Sequence, residues 1–168
     1  MYFVSGNNDT PDPQFDSLVA ATGHRLIDDE LLELSIHGQR VRLAGIGWPN
    51  NGRALASHTI ESLTSGASEA SLDVLVAHSP DVVFDVARPQ DVDLVVAGHT
   101  HGGQINLPLV GPLWNVTELP RVIAGGGLHE YRDTLLYVSN GIGVDRLEAP
   151  KIRFGTRPSV GILTLEAN

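Results

Sequence analysis

Four side chains that could bind a metal ion lie at three places in the sequence. They are Asn7 in a polar segment, His78 after an apolar run, and His99 and His101 in the glycine-rich loop 98–103. Imidazole nitrogen and amide oxygen suit manganese, iron or zinc, and the sequence does not choose among these metals. Because the chain has no cysteine, a thiolate zinc site, a disulfide and a cysteine nucleophile are all excluded.

Each of these places comes directly after a run of residues that predicts a β-strand. The three strands are predicted at 2–4, 74–77 and 92–97. Ligands of open α/β sheets gather beyond the carboxyl ends of the strands, so neighbouring strands would bring their terminal side chains together. We therefore expect Asn7, His78 and the histidine pair to converge.

The histidine pair has a spacing that suits an extended loop. Side chains two residues apart point the same way in extended backbone and diverge in a helix, and glycines on both sides favour the loop. Such a pair could share one metal, or serve two metals about 3.5–4 Å apart as in two-metal phosphatase and nuclease sites. Both arrangements remain open from the residues alone.

Each motif also has a purely structural explanation. The loop 98–103 could be a glycine turn with two exposed histidines, His78 could help to cap a helix, and residues 6–9 could form an ordinary turn and helix cap. The triple glycine 125–127 lacks the setting of a phosphate-binding loop and predicts a flexible turn. The remaining histidines are interpreted as surface or hydrogen-bonded residues rather than ligands: His24, His37, His58 and His129.

The elements that must position these residues alternate between strands and helices. Helices are predicted at 10–21, at 54–63 and from Ser79-Pro80 onward, and a hairpin joins strands 31–36 and 41–46 through a turn at 37–39. A break is predicted at 49–52. Short apolar segments then predict a mostly antiparallel tail, with strands at 122–124, 134–139, 152–154 and 160–165. The fold class is α/β with a mixed sheet.

Length and charge limit the organisation and the partners. The chain has 168 residues without a repeat or a linker-like segment, which predicts one domain over 1–168. A formal net charge of −9 argues against a nucleic-acid backbone or an anionic membrane surface as the main partner. No apolar run approaches the roughly 20 residues that span a bilayer, so no transmembrane segment is predicted and a cytoplasmic location is expected.

The ordered motifs resemble those of the calcineurin-like metallophosphoesterases. The resemblance lies in Gly6-Asn7-Asn8-Asp9, Ala77-His78 and Gly98-His99-Thr100-His101. Within that superfamily, the loop with its following Gly102-Gly103-Gln104, the segment 136–141 and Arg153-Phe154-Gly155 look like a bacterial phosphodiesterase branch that includes membrane-associated members. The resemblance implies the C-terminal portion of a four-layer α-β-β-α sandwich with mixed sheets.

The same resemblance implies a role for each matched residue. Asn7, His78 and His99 would bind one metal and His101 the other, with two divalent ions (Mn, Fe or Zn) in the complete site. The family's Asp-x-His and Gly-Asp-x-x-Asp motifs, which supply the other ligands and the bridging carboxylate, have no match, so we expect an N-terminally incomplete domain. Asn8 stands at the position of the family's catalytic histidine, where an amide can donate a hydrogen bond but cannot deliver a proton at neutral pH.

These implications lead to one expected function and two alternatives. The expected activity is hydrolysis of a small phosphodiester or phosphomonoester by a two-metal-activated water, impaired in this chain alone. The first alternative is an inactive remnant that binds a metal or a phosphorylated ligand, and the second is a structural or interaction module with an empty site. We also expect self-association, or a partner that supplies the missing half, because an incomplete sandwich would expose an apolar sheet edge.

Overall fold

The computed structural model describes residues 1–9, 14–48, 60–61, 72–86, 91–144 and 149–166. Its strands are β1 (Tyr2–Phe3), β2 (Arg25–Leu26), β3 (Glu30–Ile36), β4 (Gln39–Ile46), β5 (Leu72–Ala77), β6 (Leu94–Ala97), β7 (Asn106–Leu107), β8 (Gly111–Pro112), β9 (Gly127–Tyr131) and β10 (Thr134–Val138). The helices are α1 (Phe15–Ala21) and α2 (Arg121–Ala124), with 3₁₀ turns at Pro80–Phe84 and His101–Gly103.

Six of these strands form one mixed sheet in the order β3-β4-β5-β6-β10-β9. The four inner strands β4, β5, β6 and β10 run parallel, and antiparallel β3 and β9 close the two edges. The predicted α/β class with a mixed sheet is confirmed. Two smaller sheets pair β1 with β2 in parallel and β7 with β8 in antiparallel orientation.

The hydrophobic core lies along the central strands of the large sheet. Leu75 of β5, Val95 of β6 and Leu136 of β10 are fully buried, because parallel strands are normally covered on both faces. In β10 buried residues alternate with more exposed ones, as expected for a strand whose successive side chains point to opposite faces. The strands that lead to His78 and His99 therefore belong to the buried core of the described chain.

The hairpin predicted at 31–46 is confirmed, with β3 paired to β4 from Glu30 opposite Gly45 to Ile36 opposite Gln39. Its two turn residues, His37 and Gly38, both have positive φ, as the tight turns that match strand twist require. Arg132 and Asp133 make the same kind of turn between β9 and β10. Strand β9 was not predicted, and the glycines at 125–127 lead into it from α2.

Other predicted elements differ in extent from the observed ones. The first helix ends at Ala21 as expected but begins at Phe15, and residues 10–13 lie outside the described part of the chain. Of the helix predicted at 54–63 only 60–61 are described, and these are helical, while the predicted break at 49–52 lies outside the described residues. The helix after Ser79 is a short 3₁₀ turn, which the Ser79 side chain caps by accepting from the Asp81 N–H.

Three predicted strands of the tail are wrong. Residues 121–124 form helix α2, because the Pro120 carbonyl accepts hydrogen bonds from the N–H groups of Ile123 and Ala124. Residues 152–154 contribute only an isolated bridge between Phe154 and Ile105. No strand is formed at 160–165, where Ile162 is 93% exposed and the segment pairs with no strand among the described residues. The tail is also not mostly antiparallel, since β10 joins β6 in parallel.

Within the described residues, no helix is long and apolar enough to cross a membrane.

Candidate metal centre

His78 and His99 lie together because their strands are neighbours. β5 and β6 are parallel and adjacent, and the Gly98 N–H donates to the His78 carbonyl at 3.0 Å just beyond the two strand ends. The two imidazole rings are 4.7 Å apart between centroids, and His78 Nε2 lies 3.0 Å from His99 Nδ1. The expected meeting of these two histidines is confirmed.

Asn7 reaches the same point from a different sheet. β1 pairs with β2 and not with β5 or β6, so the expectation of three neighbouring strands is wrong for Asn7. The chain is instead held at Ser5, whose N–H donates to Asp28 Oδ1 at 2.8 Å and whose carbonyl accepts from the Trp48 N–H at 3.2 Å. These bonds bring Asn7 Oδ1 to 2.9 Å from His78 Nε2.

The turn around Asn7 leaves no spare room against His78. The Gly6 N–H donates to Asp9 Oδ2 at 2.9 Å, which closes the turn. A Cβ atom added at Gly6 would lie 2.7 Å from the His78 ring, closer than real Cβ contacts come. Glycine at position 6 is therefore what lets the Asn7 segment lie against the imidazole.

The Trp48 ring packs against the rings of both His78 and His99. It lies 5.6 Å from the His78 ring, edge-on, and 5.3 Å from the His99 ring. The sequence analysis missed this residue, although its place just after β4, the neighbour of β5, is a signal that could have found it. An apolar side chain here restricts water at the centre and lowers the local dielectric.

The pKa of His78 is lowered to about 4, mainly because burial disfavours the charged imidazolium, with smaller contributions from His99 and His101. At neutral pH the ring is therefore uncharged. A neutral imidazole is the form that binds metals.

The donor atoms of this cluster fit a divalent metal. A single proton on His78 Nε2 cannot make full hydrogen bonds to both Asn7 Oδ1 and His99 Nδ1, whereas a metal ion accepts lone pairs from all three atoms. Two imidazole nitrogens and an amide oxygen suit manganese, iron or zinc. Among the described residues, no group of three or more His, Cys, Asp or Glu could hold a metal. A site with three donors therefore needs the amide oxygen of Asn7 in addition to His78 and His99.

Comparison with curated proteins gives relatives along nearly the whole chain. It is 29% identical to the uncharacterized metallophosphoesterase YkuE of Bacillus subtilis over 154 residues, which are 91% of this chain and 50% of YkuE. It is 40% identical to the phosphodiesterase YaeI of Escherichia coli over 100 residues, 59% of this chain and 34% of YaeI. The uncharacterized metallophosphoesterase YkoQ of Bacillus subtilis is 28% identical over 165 residues, 95% of this chain and 58% of YkoQ.

The names of these relatives support the expected resemblance to the calcineurin-like metallophosphoesterase superfamily. The relatives are named as metallophosphoesterases and as a phosphodiesterase, which are hydrolases of phosphate esters. The chain spans about half the length of the curated relatives that it matches over most of its own length. No family model matches the sequence, and no solved structure gives a significant match.

The histidine loop at 98–103 is not extended. His99 has a positive φ of 67°, and residues 101–103 form a 3₁₀ turn capped by Thr100, whose hydroxyl accepts from the Gly102 N–H. The expectation that extended backbone would align the two imidazoles is therefore wrong. His99 contacts His78 and Trp48, whereas His101 Nδ1 lies 3.4 Å from Arg153 Nη2.

The glycines of the loop are required by both conformation and space. Gly102 and Gly103 have φ values of 63° and 70°, a region that side chains with a Cβ rarely adopt. A Cβ at Gly102 would lie 2.5 Å from the Thr156 side chain, and one at Gly103 would lie 2.5 Å from Pro112. The loop is thus packed between the tail and the β7–β8 hairpin.

Asn8 and the histidines interpreted as non-ligands are not among the three converging donors. Asn8 follows Asn7 in the turn and is exposed. Of the histidines interpreted as non-ligands, His24 stacks on Phe3 at 5.3 Å and the His129 ring contacts the Gly126 carbonyl at 3.1 Å. His37 lies in the β3–β4 turn, and His58 is outside the described residues.

Proposed function

We propose that this chain forms part of a metal-dependent phosphoesterase that hydrolyses a small phosphate ester. The observation that carries the proposal is the convergence of Asn7 Oδ1 and His99 Nδ1 on His78 Nε2, at 2.9 and 3.0 Å. The names of the relatives, metallophosphoesterase and phosphodiesterase, support the same chemistry. A phosphodiester and a phosphomonoester are both compatible with it.

In this proposal Asn7, His78 and His99 hold one divalent ion, and His101 belongs to the second ion of the complete two-metal site. Divalent ions held there would polarise a phosphate oxygen and supply a water of lowered pKa as the nucleophile. Manganese, iron and zinc all suit these ligands. His78 contributes because burial keeps its ring neutral, so that its nitrogen lone pair is available at pH 7.

Two further residues act on the substrate side of the proposed site. Trp48 covers one side of the His78 and His99 rings, which restricts water and strengthens electrostatic interactions at the centre. Asn8 is exposed beside Asn7, where its side-chain N–H can donate to a phosphate oxygen. Its amide holds no proton to give to the leaving alcohol, so we propose slow turnover by this chain alone.

A second candidate is an inactive remnant that binds a metal or a phosphorylated ligand. The observation that favours it is that the described residues contain no cluster of three or more His, Cys, Asp or Glu able to hold a metal. If a second copy of the chain supplied a bridging carboxylate, the chain would associate in solution. Light scattering tests this idea, and a stable monomer would contradict it.

The experiment that tests the proposed function is hydrolysis of bis-p-nitrophenyl phosphate with Mn²⁺, Fe²⁺ or Zn²⁺ added to metal-free protein. The His99→Ala/His101→Ala double variant should lose turnover, whereas the matched control His24→Ala/His129→Ala should keep it. Turnover that survives in the first variant, or the absence of both bound metal and turnover, contradicts the proposal.

The same assay separates the two candidates. Bound metal without turnover favours the remnant. The Asn8→His variant then decides whether proton transfer is what the chain lacks, since a positioned general acid contributes roughly 100-fold or more to the rate. Turnover in Asn8→His would support the phosphoesterase proposal over the inactive remnant.

A further inference from the structure

Arg153 joins the histidine loop to the loop that follows β10. Its Nη1 donates to the His101 carbonyl at 3.1 Å, and its Nη2 donates to the Asn140 carbonyl at 2.7 Å. The Gly141 carbonyl lies 3.3 Å from Nη2, and the Gly143 carbonyl accepts from Nε at 2.9 Å. One guanidinium thus contacts four backbone carbonyls in two loops.

The same guanidinium faces the side chain of His101, with Nη2 lying 3.4 Å from His101 Nδ1. A guanidinium has donors and no acceptor, so the imidazole nitrogen that faces it can only serve as an acceptor. Arg153 therefore contacts both the backbone carbonyl and the imidazole ring of His101. The described residues include no ion pair of Arg153 with a carboxylate, and its polar contacts there are with carbonyls and this ring.

The histidine loop has a backbone that needs such support. Two of its residues other than glycine, His99 and His101, have positive φ, and so does Gln104 directly after the loop. Conformations of this kind persist only where the surroundings hold them. The C-terminal segment 149–166 stabilises this backbone. Gln104 Nε2 donates to the Pro150 carbonyl at 2.7 Å, and Thr156 Oγ1 donates to the Gly102 carbonyl at 3.1 Å.

The two loops also pack tightly against each other beside Arg153. Asn140 Oδ1 is buried, and a Cβ atom at Gly102 would lie 2.8 Å from it. A shift of Asn140 toward Gly102 would therefore press on the histidine loop. The guanidinium bridges the same two loops on their polar side.

We propose that Arg153 is the positioning residue of the metal centre, which fixes the histidine loop and the His101 ring by bridging the two loops. The inference rests on the proposed metal-binding function. Lysine cannot replace arginine in this role, because one ammonium nitrogen cannot reach carbonyls arranged around a planar fork. The loss from Arg153→Lys should therefore be local to the loop and should leave the sheet intact.

The test compares the wild-type chain with Arg153→Lys and with the matched control Arg157→Lys, whose arginine is exposed. Co²⁺ alone is the metal probe, followed by its absorption spectrum, and the histidine ring resonances are recorded by NMR in the metal-free chains. Arg153→Lys should weaken Co²⁺ binding about 10-fold, as loss of residues that orient ligands typically does. It should also shift or broaden the His101 resonance while that of His129 on β9 stays unchanged.

Each result decides the inference. Unchanged Co²⁺ affinity or an unchanged His101 resonance in Arg153→Lys overturns it, as does the same effect from Arg157→Lys. A shift of the His129 resonance as well would show that Arg153 supports the whole fold rather than the loop, which also overturns it. A wild-type chain that binds no Co²⁺ would refute the proposed function, and the His101 resonance would still decide whether Arg153 holds the loop.

Discussion

His78 and His99 extend from two central strands of the six-stranded sheet, whereas Asn7 follows a two-residue strand at the surface. The histidine strands contain Leu75 and Val95, both fully buried, while Phe3 of β1 is 38% exposed. The Asn7 segment is held by the hydrogen bonds of Ser5 to Asp28 and Trp48 and by those between β1 and β2. The hydrophobic core therefore fixes His78 and His99, whereas a few polar contacts and the close approach of Gly6 fix Asn7.

The largest expected effect is loss of core packing on the histidine side. Leu75→Ala should lower the free energy of unfolding by about 3 kcal/mol, because it removes a fully buried side chain and leaves a cavity. Phe3→Ala on β1 should cost about 1 kcal/mol or less, since the ring is partly exposed and stacks only on His24 in the ring contacts described. Urea unfolding measures the free energy of unfolding of both variants. Equal losses would contradict the claim that the core holds the histidine strands more strongly than it holds β1.

Lowering the pH should destabilise the folded chain through protonation of His78. Its pKa is about 4 in the folded chain and about 6.5 when unfolded, so the unfolded chain takes up a proton first as the pH falls. Its contribution to stability is present above pH 6.5 and is lost between about pH 6.5 and 4, up to about 3 kcal/mol.

Urea unfolding between pH 7.5 and 4 measures this loss. His78→Gln should show a shallower dependence on pH than the wild type, and His129→Gln should match the wild type. Identical pH dependence in His78→Gln and the wild type would mean that burial of His78 does not control acid sensitivity.

A smaller effect is expected on the asparagine side from Gly6→Ala. The new methyl group would meet the His78 ring at 2.7 Å, and overpacking of this kind costs about 1–2 kcal/mol, or roughly 10-fold in Co²⁺ affinity. Gly98→Ala is the matched control, because its Cβ would contact only the His78 carbonyl at 3.9 Å. Equal Co²⁺ affinities in the two variants would show that the close approach of Gly6 does not position Asn7.

The sequence predicted the parts of the fold that local pattern determines. The hairpin of β3 and β4 and the strands β5 and β6 follow from alternating or continuous apolar residues bounded by turn residues. The meeting of His78 and His99 follows in turn from two adjacent parallel strands. Their role as metal ligands, with that of Asn7 and His101, stays a prediction.

The rest depends on contacts between distant residues, which local patterns do not reveal. Residues 160–165 have strand propensity but form no strand in the described chain, because propensity requires a pairing partner. Asn7 arrives from a separate sheet through the bonds of Ser5 to Asp28 and Trp48. Trp48 and Arg153 gain their importance from packing against histidines far away in the sequence.

The central claim is that Asn7, His78 and His99 bind one divalent metal ion, and calorimetric titration with Co²⁺ tests it most directly. The account predicts binding to the wild-type chain and to the control His129→Ala, and at least 10-fold weaker binding to His78→Ala, because a missing ligand weakens a metal site at least as much as a missing supporting contact. A His78→Ala chain that is folded and binds Co²⁺ as tightly as the wild type would contradict it.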